Sequence, residues 1–175
     1  MREVRQVLTA VAMLLALGLG FASPASAGGD DYPYRTATTN VADPWGFTKR
    51  QCVSFVAWRM KQRNVPMNNA VEKWGSALTW DDAARRLGHK LGTKPVAGAI
   101  AHWNAGERSA WYANGSTRPN GTVTAGQYGH VAYVQGVYSD GSVSVAQYNM
   151  SGNRSYSVMR LKAPRFIYYG VRPPV

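Results

Sequence analysis

The chain has 175 residues, of which 45% are hydrophobic and 17% charged, proportions typical of one globular domain and unlike those of a disordered tail or a coiled coil. Six tryptophans and ten tyrosines also argue against disorder. Twenty basic and nine acidic residues give a formal net charge of +11, which favours anionic surroundings without indicating a fold. Because the basic residues are scattered and form no recognised binding motif, we expect no nucleic acid as a partner.

The first 27 residues have the pattern of a secretory signal peptide. Arg2 and Arg5 precede an apolar run from Val7 to Ala22, and the small residues 25–27 follow as the predicted cleavage site. A membrane anchor is the alternative, but the apolar run covers only about 16 residues, whereas a helix needs roughly 20 to cross a bilayer. We therefore expect an exported protein.

The segment after the signal peptide, residues 28–42, is rich in Gly, Asp and Thr and shows no periodicity. It predicts a flexible mature N-terminus, followed by one folded domain over residues 43–175. No internal disulfide can form in this exported chain, because Cys52 is its only cysteine. A lone exported cysteine is a buried core residue, an intermolecular bridge or a working thiol.

Two helices are predicted at the start of the domain. Apolar residues at three- and four-residue steps indicate an amphipathic helix over 49–61, with Thr48 as its N-cap and Cys52 close to its first turn. A second, short helix is predicted after Thr79, where two aspartates suit a helix start and Gly88 suits its end.

Beyond these helices the pattern changes to short apolar or alternating runs, which are typical of β-strands. The predicted strands cover residues 98–103, 129–137, 142–149, 155–161 and 166–170. The polar stretch 104–127 predicts a long surface loop. Helices followed by antiparallel strands predict an α+β fold, with N-terminal helices packed on an antiparallel sheet.

Cys52 is the candidate nucleophile. The unpaired N–H groups and the dipole at a helix start stabilise a thiolate, and Lys49 and Arg50 would add positive potential. We therefore expect a lowered pKa for this thiol.

The base that such a thiol needs must be one of three histidines. His89 follows a helix stop and is expected to be solvated. His102 alternates with Ile100 in a short strand, which indicates a structural or exposed position. His130 opens the strongest predicted strand, and the preceding Gly129 leaves one side of the ring unobstructed. His130 is therefore the candidate base.

The Asp140-Gly141 turn signal predicts which side chains lie beside His130. With these two residues as the turn, strand pairing places Asn149 diagonal to His130 on the same face. Gln147 shares that face but lies further along, and it touches the ring only if a bulge or another loop register intervenes.

Five runs resemble, in order and spacing, the CHAP family of cysteine, histidine-dependent amidohydrolases/peptidases: DPWGFTKRQCVSFVAWRM (43–60), GAIAHWN (98–104), GHVAYVQGV (129–137), DGSVSVAQYN (140–149) and FIYY (166–169). The resemblance implies a papain-like, NlpC-type fold with the nucleophile on the first helix. Position by position, it implies Cys52 as nucleophile, His130 as general base and Asn149 as the polar residue of the next strand. Many members have Glu at the position of Gln147, and a glutamine can orient an imidazole without stabilising its cation by charge.

The implied activity is hydrolysis of an amide bond in peptidoglycan, either the N-acetylmuramoyl-L-alanine bond or one in the stem peptide or cross-bridge, with no metal or cofactor. The candidate substrate-binding residues are Trp45, Trp103, Trp111 and Tyr128. The alternative is a non-catalytic wall-binding module of the same fold, with a sugar-stacking groove formed by Trp103, Trp111, Tyr112 and Tyr128. We expect a secreted, wall-associated monomer whose positive charge binds anionic wall polymers.

Overall fold

The computed structural model describes residues 29–175, so the predicted signal peptide lies outside the described residues. The helical elements are α1 (Cys52–Gln62), α2 (Asn69–Glu72), a 3₁₀ turn (Ala77–Thr79) and α3 (Trp80–Arg86). The strands are β1 (Leu91–Gly92), β2 (Ile100–Trp103), β3 (Arg108–Tyr112), β4 (Gly121–Thr124), β5 (His130–Val137), β6 (Val143–Tyr148), β7 (Tyr156–Leu161) and β8 (Arg165–Ile167). Within this described part, no helix combines the length and apolarity that a bilayer crossing requires.

Helix α1 is the element that carries the cysteine. Its apolar repeat buries Phe55 and Met60 completely, as the spacing predicts. The helix begins at Cys52, later than the sequence indicates, because Arg50 is left-handed (φ 60°) and Gln51 is the N-cap. The expected N-cap further upstream is therefore wrong. Cys52 is the first helical residue, in the turn where backbone N–H groups have no intrahelical partner.

The eight strands form one sheet in the order β1-β8-β2-β5-β6-β7-β3-β4, and every pair in it is antiparallel. Side chains alternate between its faces. Val131 and Ala146 belong to the cluster that includes α1, whereas Val134 and Val145 belong to a second cluster on the other face. The fold is therefore α+β, with helices packed on one face of an antiparallel sheet.

The second face is covered by the sheet itself, which curls so that distant strands meet. Trp103 Nε1 of β2 donates a 2.6 Å hydrogen bond to Ser109 Oγ of β3, although three strands lie between β2 and β3 in the sheet. Arg165 of β8 forms an ion pair with Glu107, just before β3. These contacts close the curl and bury the apolar side chains inside it.

The polar stretch 104–127 is not the expected surface loop. It contains β3 and β4, which pair as a hairpin with Ala110 opposite Thr122, and β3 also pairs with β7. Strand β4 escaped sequence analysis because three of its four residues are exposed and the strand shows no apolar alternation.

Part of the segment expected to be flexible packs into the core. Tyr32 is completely buried against Phe55, Trp58 and Tyr148, and its hydroxyl lies 2.5 Å from Ser54 Oγ of α1. Its aromatic ring supplies apolar area that the Gly, Asp and Thr content of the segment concealed. The folded unit therefore begins before residue 43.

Candidate active site

One cleft with a volume of about 560 Å³ is lined by four of the eight predicted site residues. Cys52 reaches it from the first residue of α1, and His130 from the first residue of β5. Asn149, just past the end of β6, and the exposed Tyr128 line it as well. The packing of α1 on the central strands thus brings the candidate nucleophile and base to one place.

Gln147 orients the imidazole of His130 through a hydrogen bond. His130 Nε2 lies 2.9 Å from Gln147 Oε1, and both side chains are buried. The amino group of Gln147 donates to Ser157 Oγ at 3.2 Å and to Met159 Sδ at 3.0 Å. Because this leaves Oε1 as the acceptor, Nε2 of the imidazole carries the proton and Nδ1 is the free basic nitrogen.

Gln147 rather than Asn149 reaches the ring because the β5–β6 hairpin departs twice from the expected pairing. Its turn has three residues, 139–141, and a β-bulge at Gln135 adds a second one-residue shift. Each shift alone would turn the side chains of β6 to the opposite face. Together they preserve the predicted face and bring Gln147 two residues closer to the imidazole.

Asn149 has a different set of partners. Its backbone is left-handed (φ 64°) at the end of β6, its Nδ2 donates to Gln51 Oε1 at 2.7 Å, and its Oδ1 accepts from the Arg154 N–H at 2.7 Å. The side chain therefore positions Gln51 in the cleft wall. Gln51 was not among the predicted site residues, although its position next to Cys52 in the sequence is a signal for it.

Burial sets the protonation of the two reactive groups. It raises the pKa of the Cys52 thiol to about 11, although the N–H groups of Val131 and Val53 act in the opposite direction. Burial lowers the pKa of His130 to about 4, although the hydrogen bond that the imidazole donates to Gln147 acts in the opposite direction. The expectation of a lowered thiol pKa is therefore wrong, and both groups are neutral at pH 7.

The two cations expected to stabilise a thiolate have other partners. Lys49 Nζ lies over the ring of Tyr34, 4.8 Å from its centroid, and Arg50 Nη2 donates to the Arg154 carbonyl at 3.2 Å. The helix start alone does not offset the loss of water around the sulfur.

Of the four candidate substrate-binding aromatics, only Tyr128 lines the cleft. Trp103 is completely buried beside His130, with the ring centroids 5.7 Å apart. Trp45 packs half-buried against Tyr34, and Trp111 is half-buried in the curl of the sheet. None of these three tryptophans lines the cleft, and only Trp103 is completely buried. Tyr112 is buried too, so these residues form no sugar-stacking groove.

The other two histidines have structural environments. His102 is fully buried, with Nε2 2.8 Å from the Ala77 carbonyl oxygen and Nδ1 3.3 Å from Arg165, which matches the structural option. His89 packs edge-on against Tyr169 at 4.4 Å and is not the solvated residue expected. Residues 29–175 contain no group of three or more His, Cys, Asp or Glu side chains that could hold a metal ion.

The CHAP domain family model matches residues 42–149, and the chain belongs to this family. Relatives include the staphylococcal secretory antigen ssaA2 of Staphylococcus aureus, 33% identical over 103 residues that cover 59% of this chain and 29% of the relative. Another is the N-acetylmuramoyl-L-alanine amidase sle1 of Staphylococcus haemolyticus, 28% identical over 131 residues, covering 73% of this chain and 34% of that one.

A solved structure is similar as well. The crystal structure of an N-acetylmuramoyl-L-alanine amidase from Staphylococcus aureus superposes with a TM-score of 0.55 at 26% identity, covering 78% of this chain and 36% of that chain. The chain spans about a third or less of the length of the two curated relatives described above.

Proposed function

We propose that the protein is an exported peptidoglycan hydrolase that cleaves an amide bond through Cys52 and His130. The carrying observation is that both side chains line one cleft, with the imidazole held through Nε2 by Gln147. The names of the amidase relatives support the reaction class. In this proposal the fold is papain-like, with a nucleophile at a helix start packed against the sheet that carries its base.

The proposed reaction begins from a neutral thiol and a neutral imidazole. As the Cys52 sulfur attacks the amide carbonyl, its proton moves to His130 Nδ1, and the imidazolium then protonates the leaving amine. A water molecule, deprotonated by the same nitrogen, attacks the thioester and releases the acid and the thiol. Gln147 Oε1 accepts the hydrogen bond from the Nε2–H of His130 throughout, and so keeps Nδ1 as the reacting atom.

Two donors are proposed for the oxyanion of the tetrahedral intermediate. The N–H of Cys52 lies in the first turn of α1, where backbone donors are unpaired within the helix. The carboxamide of Gln51 is the second: its oxygen accepts from Asn149, and its Nε2 has no hydrogen-bond partner within residues 29–175.

Export and wall association complete the proposal. The N-terminal pattern and the secretory name of one relative support delivery outside the cell, where the net charge of +11 would bind anionic wall polymers. We propose a monomer.

The test is digestion of isolated peptidoglycan under reducing conditions by the purified protein and by Cys52→Ala, with released fragments identified by mass spectrometry. Fragments from the wild type alone support the thiol mechanism, and their masses name the bond. If neither protein releases fragments while both sediment with the wall, the protein is a binding module and not a hydrolase.

A further inference from the structure

The cleft is uncharged in a strongly basic protein. Among the residues of the described chain that line it, none is Asp, Glu, Lys or Arg, although the formal net charge of the whole chain is +11. Its thiol and its imidazole are neutral at pH 7, as the pKa values of Cys52 and His130 require. The positive charge of the protein is therefore placed outside the cleft.

Basic residues close to the nucleophile in sequence do not supply the missing charge. Lys49 lies over Tyr34, and Arg50 donates to the Arg154 carbonyl, so both cationic groups have partners outside the set of cleft-lining residues. An anionic group bound beside Cys52 would lose part of its hydration, and no cationic side chain among the lining residues would compensate for that loss.

The groups that the cleft does present are amides. Five glycines line it, at positions 46, 75, 126, 129 and 152, together with the carboxamides of Asn40, Gln51, Asn69 and Asn149. Asn69 connects two parts of this wall, donating to the Gly46 carbonyl at 2.9 Å and accepting from the Gly75 N–H at 2.8 Å. Among the described residues, the carboxamide of Asn40, the Nε2 group of Gln51 and the N–H of Gly126 have no hydrogen-bond partner and are available to a ligand. Neutral groups of this kind complement peptide, N-acetyl and carboxamide groups.

We propose that the cleft selects peptidoglycan segments that are uncharged beside the scissile bond, with the side carboxyl groups of the stem peptide amidated. This inference rests on the proposed function and specifies its substrate class. A free carboxylate at that position would lose its hydration without gaining a partner, and it would also repel the negative charge that develops on the sulfur and the oxyanion.

The test compares two synthetic cross-bridged disaccharide-peptide dimers, which contain all the candidate bonds and differ only in the second residue of the stem, isoglutamine in one and isoglutamate in the other. For the purified protein we expect kcat/KM to be at least tenfold higher for the isoglutamine substrate. Tyr128→Lys adds a cation at the cleft wall and should reduce this ratio at least threefold. Val137→Lys adds the same charge at the far, exposed end of β5 and should leave the ratio unchanged.

Equal kcat/KM values for the two substrates, or a preference for the carboxylate, would overturn the inference. An unchanged ratio in Tyr128→Lys would overturn it as well, because the charge of the wall would then not be the selecting feature. If the protein cleaves neither substrate, nor isolated peptidoglycan, the proposed function itself fails, which is a different result from cleavage without selection.

Discussion

Replacing Gln147 by glutamate should increase the fraction of molecules in which Cys52 and His130 form a thiolate–imidazolium ion pair. The glutamine oxygen already lies 2.9 Å from His130 Nε2, so Gln147→Glu places a carboxylate next to that nitrogen without a change in side-chain length. A negative charge at this position stabilises the imidazolium, and the imidazolium in turn stabilises a Cys52 thiolate.

The size of the effect follows from the geometry. Two unit charges about 4 Å apart interact by about 4 kcal/mol at an effective dielectric constant of 20, which equals about 3 pKa units. Loss of water around the new carboxylate reduces this shift to roughly 2 units. The pKa of His130 should then rise from about 4 to roughly 6.

Two measurements check this prediction: NMR titration of the His130 imidazole, and the pH dependence of Cys52 alkylation by iodoacetamide. Gln147→Glu should alkylate at least tenfold faster than the wild type at pH 6. Gln62→Glu, an exposed change at the opposite end of α1, should leave both quantities unchanged. If the His130 pKa in Gln147→Glu stays within half a unit of the wild-type value, the reasoning from charge and distance is refuted.

Three further predictions concern stability. Gly129→Ala should destabilise the protein strongly, since φ is +71° and a Cβ would lie 2.7 Å from backbone atoms of neighbouring segments. The matched control Gly141→Ala has φ +77° but open space around the Cβ, and it should lower the free energy of unfolding in urea by only about 1–2 kcal/mol. Ser54→Ala should cost about 1–3 kcal/mol, because its hydroxyl bridges a buried tyrosine and a buried carboxylate, and exposed Ser139→Ala should stay within about 0.5 kcal/mol of the wild type. Burial lowers the pKa of His130 from 6.5 to about 4, so the unfolded state binds more protons than the folded state between these pH values. The free energy of unfolding should therefore fall by about 3 kcal/mol as the pH is lowered from 6.5 to 4. His130→Gln should show a smaller fall between pH 7 and 4. An equal fall in both proteins would contradict this assignment.

Periodicity predicted the elements that bury one apolar stripe. Helix α1 has such a stripe, and the apolar runs of β5 and β6 indicated strands although residues on both faces of these strands are buried. Strand β4 could not be found this way, because exposed threonines and a glycine carry no apolar alternation. The position of Tyr32 was equally hidden, since its partners on α1 and β6 are distant in sequence.

Some features of the candidate site have local sequence signals, and others depend on the folded structure. That Cys52 and His130 would begin their elements could be predicted within three residues, because helix and strand starts have local signals. The pKa values could not, since they depend on how much water the folded chain removes from each group. Of the predicted aromatic residues only Tyr128 lines the cleft, because sequence does not distinguish a ring such as Trp103, which is buried in the curl of the sheet, from one that borders a cleft.

The unpaired residue of the β5–β6 hairpin determines which side chain of β6 faces His130. If Gln135 paired regularly with Val145, the rest of β5 would slip by one residue relative to β6, and Gln147 would turn to the opposite face. Deletion of Gln135 would leave Tyr133 opposite Ala146, as it is now, and Gln147 on the face of His130. The hydrogen bond to the imidazole is therefore sensitive to a register slip several residues away along the strand, but not to removal of the bulged residue.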